Sequence, residues 1–238
     1  LLEANAAVDQ AKDDGATPLY KACENSHLDV VRLLLEARAA VNQAKENGTT
    51  PLYMACLNGQ LECVWLLLEA GAAISQAKDG GFTPLYIACQ QGHVEIAKLL
   101  LEANAAIDQA TNNGFTPLRV ASQSGHLEIV RLLCVAGAVV DQADEQGATP
   151  LLMACQEGHL ECARLLLKAG AAVGQTNDGR VSPLHTACQN NRLEIVRLLL
   201  EAGAVVDQAA EDGATPLYIA CFHGHLEIAR LLLEASAA

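Results

Sequence analysis

The sequence predicts an all-α fold: a solenoid of stacked helix-turn-helix units with β-hairpin-like loops between them. Three observations predict it. The tripeptide Thr-Pro-Leu, once Ser-Pro-Leu, returns every 33 residues, at Thr17, Thr50, Thr83, Thr116, Thr149, Ser182 and Thr215. A period of this length marks stacked supersecondary units, each resting on its neighbours, and not a closed globule. Second, each copy contains two apolar segments of helical periodicity separated by a turn signal. Third, 51% of the 238 residues are hydrophobic but only 3% are aromatic, so the interior is made of Ala, Leu, Val and Ile, as thin layers of close-packed helices require.

The third copy shows how each element arises. Thr83 can cap a helix by accepting from free backbone N–H groups, and Pro84 suits the first helical position, where a missing N–H costs nothing. Gly92 ends this first helix. Ile96, Leu99 and Leu100 then recur at helical spacing, with Glu95, Lys98 and Glu102 on the polar face of a second, antiparallel helix. Asn104 stands where other copies place Gly71, Gly137, Gly170 and Gly203, a left-handed position that Asn tolerates next best; Arg38 breaks that rule in the first copy. The extended stretch Ala106 to Ala110, followed by Asn112-Asn113-Gly114, predicts a tight turn projecting as a finger.

One continuous domain over 1–238 is expected, since a repeat array has no core that stops growing. Residues 1–14 read as the tail of a truncated repeat, followed by repeats at 15–47, 48–80, 81–113, 114–146, 147–179, 180–212 and 213–238. The chain starts and ends in the helical pattern, without polar capping repeats, and so reads as cut from a longer array. Its apolar runs, such as Val64 to Leu68, are too short to span a bilayer, and Leu1-Leu2-Glu3-Ala4 lacks the basic start of a signal peptide; no membrane association is expected.

Of nine cysteines, Cys23, Cys56, Cys89, Cys155, Cys188 and Cys221 share one repeat position, with Ser122 in the remaining copy. Stacked helices hold equivalent residues about 8–10 Å apart, beyond disulfide reach, so these read as a stripe of free core thiols in a reducing, cytoplasmic compartment. Cys63, Cys134 and Cys162 read as small apolar fillers of the second helices. The Cys-x3-His spacing at Cys89/His93, Cys155/His159 and Cys221/His225 superficially suits a metal, but the turn glycine lies inside it and successive copies are a full repeat apart. No metal, cofactor or catalytic residue is expected. The phosphate-loop, zinc-protease and nucleophile-elbow motifs are missing, and Ser182 and His185 read as a helix cap.

The combination of GxTPLY or GxTPLH, an Ala-Cys pair, a Gly-His-Leu-Glu turn and Leu-Leu-Leu-Glu-Ala-Gly-Ala resembles the ankyrin repeat across nearly the whole chain. It departs from the pattern at Ser26 and Asn191, which replace the turn glycine, and at Gly179, where the hairpin glycine moves ahead of Arg180. Ser26 in a left-handed conformation is strained by about 1 kcal/mol, so the first and sixth units are expected to be the least regular. The resemblance implies a non-catalytic scaffold that binds other proteins, with first helices and hairpin tips lining a concave groove. It also marks Asn42, in Val41-Asn42-Gln43, as a position where the family commonly carries an Asn that can be hydroxylated in animals.

Candidate binding residues lie where the copies differ. At the fingers these are Asp13, Asp14, Glu46, Asn47, Asp79, Asn112, Asn113, Glu145, Glu211 and Asp212. Phe82 and Phe115, just before the capping Thr, are either hot spots beside Met54 and Leu57 or rings folded back on neighbouring hairpins. On the first helices the candidates are Leu57, Gln90, Gln91, Gln123, Gln156, Phe222 and His223, together with Arg119 in place of the usual Tyr. Tyr20, Tyr53, Tyr86 and Tyr218 are expected to pack between units. Trp65 replaces the Arg or Lys of the other second helices, either as a contact site on the convex side or as a tolerated surface change.

Most of the net charge of −13 falls on the fingers and on the Val/Ile-Asp-Gln stretches (Asp9, Asp108, Asp141, Asp207). An acidic edge disfavours nucleic acid and suits a neutral or basic protein or peptide, if it serves more than solubility. A monomer is expected. Two rival roles share this sequence: the targeting or regulatory arm of a larger enzyme such as a kinase or ubiquitin ligase, and a mechanical spacer.

Overall fold

The computed structural model describes residues 7–236; the first six residues and Ala237-Ala238 lie outside it. Fourteen helices alternate as first and second members of seven pairs: α1 Pro18–Glu24, α2 Leu28–Glu36, α3 Pro51–Leu57, α4 Leu61–Glu69, α5 Pro84–Gln91, α6 Val94–Glu102, α7 Pro117–Ser124, α8 Leu127–Val135, α9 Pro150–Glu157, α10 Leu160–Lys168, α11 Pro183–Gln189, α12 Leu193–Glu201, α13 Pro216–Phe222 and α14 Leu226–Ser236. The chain divides into two units, Leu1–Asn112 with α1 to α6 and Asn113–Ala238 with α7 to α14. In the first, α1, α3 and α5 pack side by side as one layer, and α2, α4 and α6 as another. The second repeats the arrangement, with α7, α9, α11 and α13 in one layer and α8, α10, α12 and α14 in the other.

Every first helix starts as the sequence predicts. The hydroxyl of Thr17 accepts from the Tyr20 N–H at 3.1 Å, and Thr50, Thr83, Thr116, Thr149, Ser182 and Thr215 do the same three residues on. Pro follows at the first helical position in all seven. Between these helices Leu19, Leu52 and Leu85, and in the other unit Leu118, Leu151 and Leu184, are fully buried. Cys23, Cys56 and Cys89 are buried beside them in the first unit and Cys155 and Cys188 in the second, where Ser122 fills the same slot by donating its hydroxyl to Leu118 O at 2.8 Å. All nine cysteines are free thiols.

The hairpin loops are tight turns. Lys45 N–H donates to Thr49 O at 3.0 Å, and Asp144, Asn177 and Ala210 make the equivalent bond to Ala148, Val181 and Ala214. Neighbouring tips are also tied together: Glu46 N–H donates to Asp14 O, Asp79 to Asn47 O and Asn112 to Gly80 O, then in the second unit Glu145 to Asn113 O, Asp178 to Gln146 O and Glu211 to Gly179 O. Four of the five non-glycine residues with positive φ among those described fall in the first and sixth repeats: Ser26, Arg38, Arg180 and Asn191; the fifth is Asn104. One detail differs from expectation. The displaced glycine of the sixth finger does not take the left-handed slot; Arg180 does, with φ 57°, because the turn's geometry is fixed by chain position and not by where the glycine sits.

Arg180 is exposed, so Arg180→Gly removes backbone strain without opening a cavity and should stabilise the chain by about 1 kcal/mol, read as a higher urea midpoint at unchanged slope. Burial pushes the thiols of Cys23 and Cys188 up from 9.0 to about 12 and raises Cys56, Cys89 and Cys155 further. Iodoacetamide on the native chain should therefore modify exposed Cys221 well before these five, which react only on unfolding; mass spectrometry gives the order. An unfolded chain releases those protons from about pH 9 upward while the folded one keeps them. Stability should hold below pH 9 and fall above it in alkaline urea titrations.

Candidate protein-binding surface

The exposed edge of each unit is assembled from the ends of first helices and the tips of the loops. Glu46, Asn47, Asp79 and Asn112 are exposed in the first unit, and Asn113, Glu145, Glu211 and Asp212 in the second. Asp13 is exposed as well, and Asp14 is half-buried. Several of these also hold their own turn: Asp14 Oδ1 accepts from Ala16 N–H, Asn47 Oδ1 from Thr49 N–H at 3.1 Å, and Asp212 Oδ1 from Ala214 N–H at 2.9 Å. Lys45 pairs with Asp14 at 2.9 Å, and that bond holds the Asp14 carboxyl below its ordinary range. Two carboxylates of the Val/Ile-Asp-Gln stretches also serve as acceptors for the backbone of the following repeat. Asp9 accepts from Ala40 N–H at 2.8 Å and Asp141 from Ala172 N–H at 3.1 Å, each tying one repeat's linker to the next. Asn42 does the same with Ala73 N–H at 2.7 Å.

On the first helices Gln90, Gln91, Phe222 and His223 are exposed, while Leu57, Gln123 and Gln156 are half-buried. Phe222 is 71% exposed and stacks with Tyr218 at 6.4 Å between ring centres. Tyr20, Tyr53 and Tyr86 are buried as expected; Tyr218 is not, because α13 has no further helix of this chain against its outer side. Two candidates are corrected. Met54 is buried within the α3 layer, since its position on α3 faces the neighbouring helices. Arg119 is also buried, because its charge is satisfied inside the protein.

Arg119 Nε donates to Asp144 Oδ2 at 2.8 Å, Nη1 donates to Gln123 Oε1 at 3.0 Å, and the guanidinium lies 3.9 Å from the centre of the Phe115 ring. Asp144 Oδ1 accepts from the N–H groups of Gln146 and Ala148, both at 2.9 Å, so one carboxylate shapes the loop and anchors it to α7. Phe115 is thus a packing partner of Arg119. Phe82 behaves alike: it is half-buried, edge-on to Tyr86 at 5.2 Å, with the Lys78 ammonium 4.9 Å above it. Gly80 makes that possible, because a Cβ there would sit 2.6 Å from the ring.

A common geometry underlies these contacts. The side chain after Thr-Pro-Leu meets the residue 25 positions later, on the next loop: Lys45 lies 5.5 Å over Tyr20, Lys78 lies 5.8 Å over Tyr53, and Asp144 binds Arg119. In the sixth repeat His185 plays the first part. Its Nε2 contacts Ala214 O at 3.0 Å, leaving Nδ1 to accept from Ser182 N–H at 3.3 Å, an arrangement that requires the neutral ring. Burial accordingly lowers the His185 pKa. The signal for these pairs was present in sequence as joint change at two positions 25 apart.

Turn histidines also link repeats. The Nε2 of His93 meets Leu57 O at 3.3 Å, that of His159 meets Gln123 O at 3.0 Å, and that of His225 meets Gln189 O at 3.2 Å. Cys155 meanwhile is sealed between first helices, so the Cys-x3-His residues serve separate structural tasks. Among the described residues no group of three His, Cys, Asp or Glu side chains could hold a metal ion, and no helix is long and apolar enough to cross a membrane.

Tandem helix pairs with capped Thr-Pro starts, left-handed turn residues and linked loop tips define a helix-pair repeat protein. The chain belongs to the ankyrin-repeat family: the model described as "Ankyrin repeats (3 copies)" matches residues 1–78, 74–144, 107–178, 135–210 and 171–238. Among solved structures it is similar to the human ASB11 ankyrin repeat domain, at 29% identity and a TM-score of 0.84, over 92% of this chain and 97% of that one. A comparison with curated protein sequences gave no match.

Removing one member of the buried pair leaves the other charge unsatisfied, so Arg119→Met and Asp144→Ala should each cost about 3–5 kcal/mol in urea unfolding. The double variant should cost less than the sum of the two. Protonation of His185 takes away the Nδ1 acceptor. Its lowered folded-state pKa means that stability is complete above the ordinary value of 6.5 and declines as the pH falls below it, a loss that His185→Gln should reduce.

Proposed function

We propose that this chain is a non-catalytic protein-binding scaffold that recognises a partner protein or peptide through its first-helix ends and loop tips. The observation that carries this reading is where the repeats vary. Frame residues such as Leu52, Leu85, Leu151 and Leu184 are repeated and buried. Two residues after the Cys stripe the side chain is exposed in every repeat and takes five different types over the seven copies: Asn25, Asn58 and Asn190, then Gln91, Ser124, Glu157 and His223. A preformed surface of this kind binds with little ordering cost, because the helices beneath it are already fixed.

The acidic tips favour a neutral or basic partner by electrostatic complementarity. Unbridged thiols along the core suit a reducing, intracellular setting. The human ASB11 ankyrin repeat domain supports the reading as a relative in fold and sequence.

The test starts with a partner captured from the native cell by the full chain. Asn58→Arg with Gln91→Arg should weaken binding of that partner by about tenfold or more, whereas Glu128→Gln with Arg131→Gln on α8 should leave it within about twofold. Circular dichroism should be unchanged in both. The opposite ranking, or no effect from the first pair, would exclude the first-helix ends as the recognition surface.

A further inference from the structure

In the outer layer of the first unit, α4 and α6 enclose a groove of about 370 Å³. Its apolar wall is Leu61, Trp65 and Leu99, and its rim carries the carboxylates of Glu62, Glu95 and Glu102. Lys98 is the single cation lining it. The indole is 48% exposed, although Trp65 is the sole tryptophan of the chain.

What makes this groove different is visible by comparison with its counterpart on α8 and α10. There the equivalent positions are Leu127, Arg131, Glu161, Arg164, Leu165 and Lys168, which leave only about 90 Å³ and present three cations to one carboxylate. In the second unit the cation at the Trp65 position pairs with the Glu three residues earlier in every repeat: Glu128 with Arg131, Glu161 with Arg164, Glu194 with Arg197 and Glu227 with Arg230, at 3.4–3.7 Å. Glu62 occupies the same place before Trp65, where an indole stands instead of a cation, and among the described residues it makes no ion pair; nor does Glu95 with Lys98. The α4–α6 groove is therefore wider and carries an excess of carboxylates, with Trp65 where the counterpart has Arg131 and Glu102 where it has Lys168, and Trp65 offers Glu62 no cation.

We propose that the α4–α6 groove receives an arginine-bearing segment of a protein partner, with the guanidinium stacked on Trp65 and paired with Glu62. An arginine fits both requirements together. Its planar cation stacks on an aromatic face and offers a fork of donors to a carboxylate, while its methylene stem and an adjacent aliphatic side chain cover Leu61 and Leu99. The excess of carboxylates attracts a basic segment and repels an acidic one. This surface lies on second helices and goes beyond the first-helix reading above, so either can fail alone.

The probe is a dye-labelled capped peptide, acetyl-Gly-Leu-Arg-Leu-Arg-Gly-amide, beside a counterpart with Glu for Arg. Because the chain has a single indole, its N–H resonance and fluorescence report this groove directly. The Arg peptide should move that resonance saturably, and raising the salt from about 0.05 M to about 0.5 M should weaken binding. Trp65→Arg, which restores the residue of the other repeats, should weaken peptide anisotropy binding by about tenfold, and Glu62→Gln by a similar factor, with circular dichroism unchanged. Glu62 is exposed, so its variant keeps the test alive if Trp65→Arg perturbs folding. A stationary indole resonance, equal binding of the Glu peptide, or variants that bind like the parent would each overturn the proposal.

Discussion

The helices of this protein are seven to eleven residues long, and most of them are two turns or little more. Helices of that length do not persist alone in water, since nucleation is costly and too few hydrogen bonds follow it. Each pair must therefore cover its apolar face with the next pair. Within each unit this dependence explains the small residues of the core: Ala22, Ala55 and Ala88, then Ala121, Ala154 and Ala187, are all buried beside the Cys stripe, where larger side chains would hold neighbouring helices apart.

Once the pairs must stack, the remaining polar groups have to be satisfied across the joins. The chain does this at fixed places. Thr and Ser hydroxyls cap the first helices, loop tips exchange backbone hydrogen bonds, linker Asp and Asn accept from the following repeat, and turn histidines reach back to a carbonyl. Gly125 shows how closely these parts fit: a Cβ there would meet the His159 ring at 2.5 Å, so the turn glycine supplies both its left-handed φ of 73° and room for the ring that links the repeats. Conformation and clearance are separate demands met by one residue.

The same join can be filled by different chemistry. Tyr over Lys in the first unit and Arg with Asp in the second occupy equivalent space. The aromatic pairs bury a large apolar ring under a solvated ammonium, whereas the Arg119–Asp144 pair takes two charges out of water and relies on Gln123, Phe115 and two backbone N–H groups to offset the desolvation. At the Trp65 groove the reverse holds on an exposed surface: an indole stands where the other repeats carry a cation, beside the exposed carboxylate of Glu62. Exceptions to the repeat thus fall into two kinds, those closed by a partner inside the protein and those left open to solvent.

By itself the sequence determined the fold, the helix starts, the turn positions and the cysteine stripe, because each follows from local chemistry repeated at 33-residue intervals: a cap needs Thr or Ser before Pro, and a left-handed turn needs Gly or a tolerated substitute. It also identified Phe82, Phe115 and Arg119 as departures from the pattern, but not what the departures do. That was decided by tertiary structure. Whether the side chain after Thr-Pro-Leu is closed off from solvent depends on what the following loop places 25 residues later, and for Arg119 that is Asp144. Arg119 left the candidate surface for this reason and Met54 because its side of α3 faces the neighbouring helices; Phe115 became the stacking partner of a guanidinium, and Asp9 and Asp141 proved to accept hydrogen bonds from the following repeat. Periodicity reports what all repeats share; the environment of a residue that only one repeat carries is set by contacts across a join, which only the folded chain brings together.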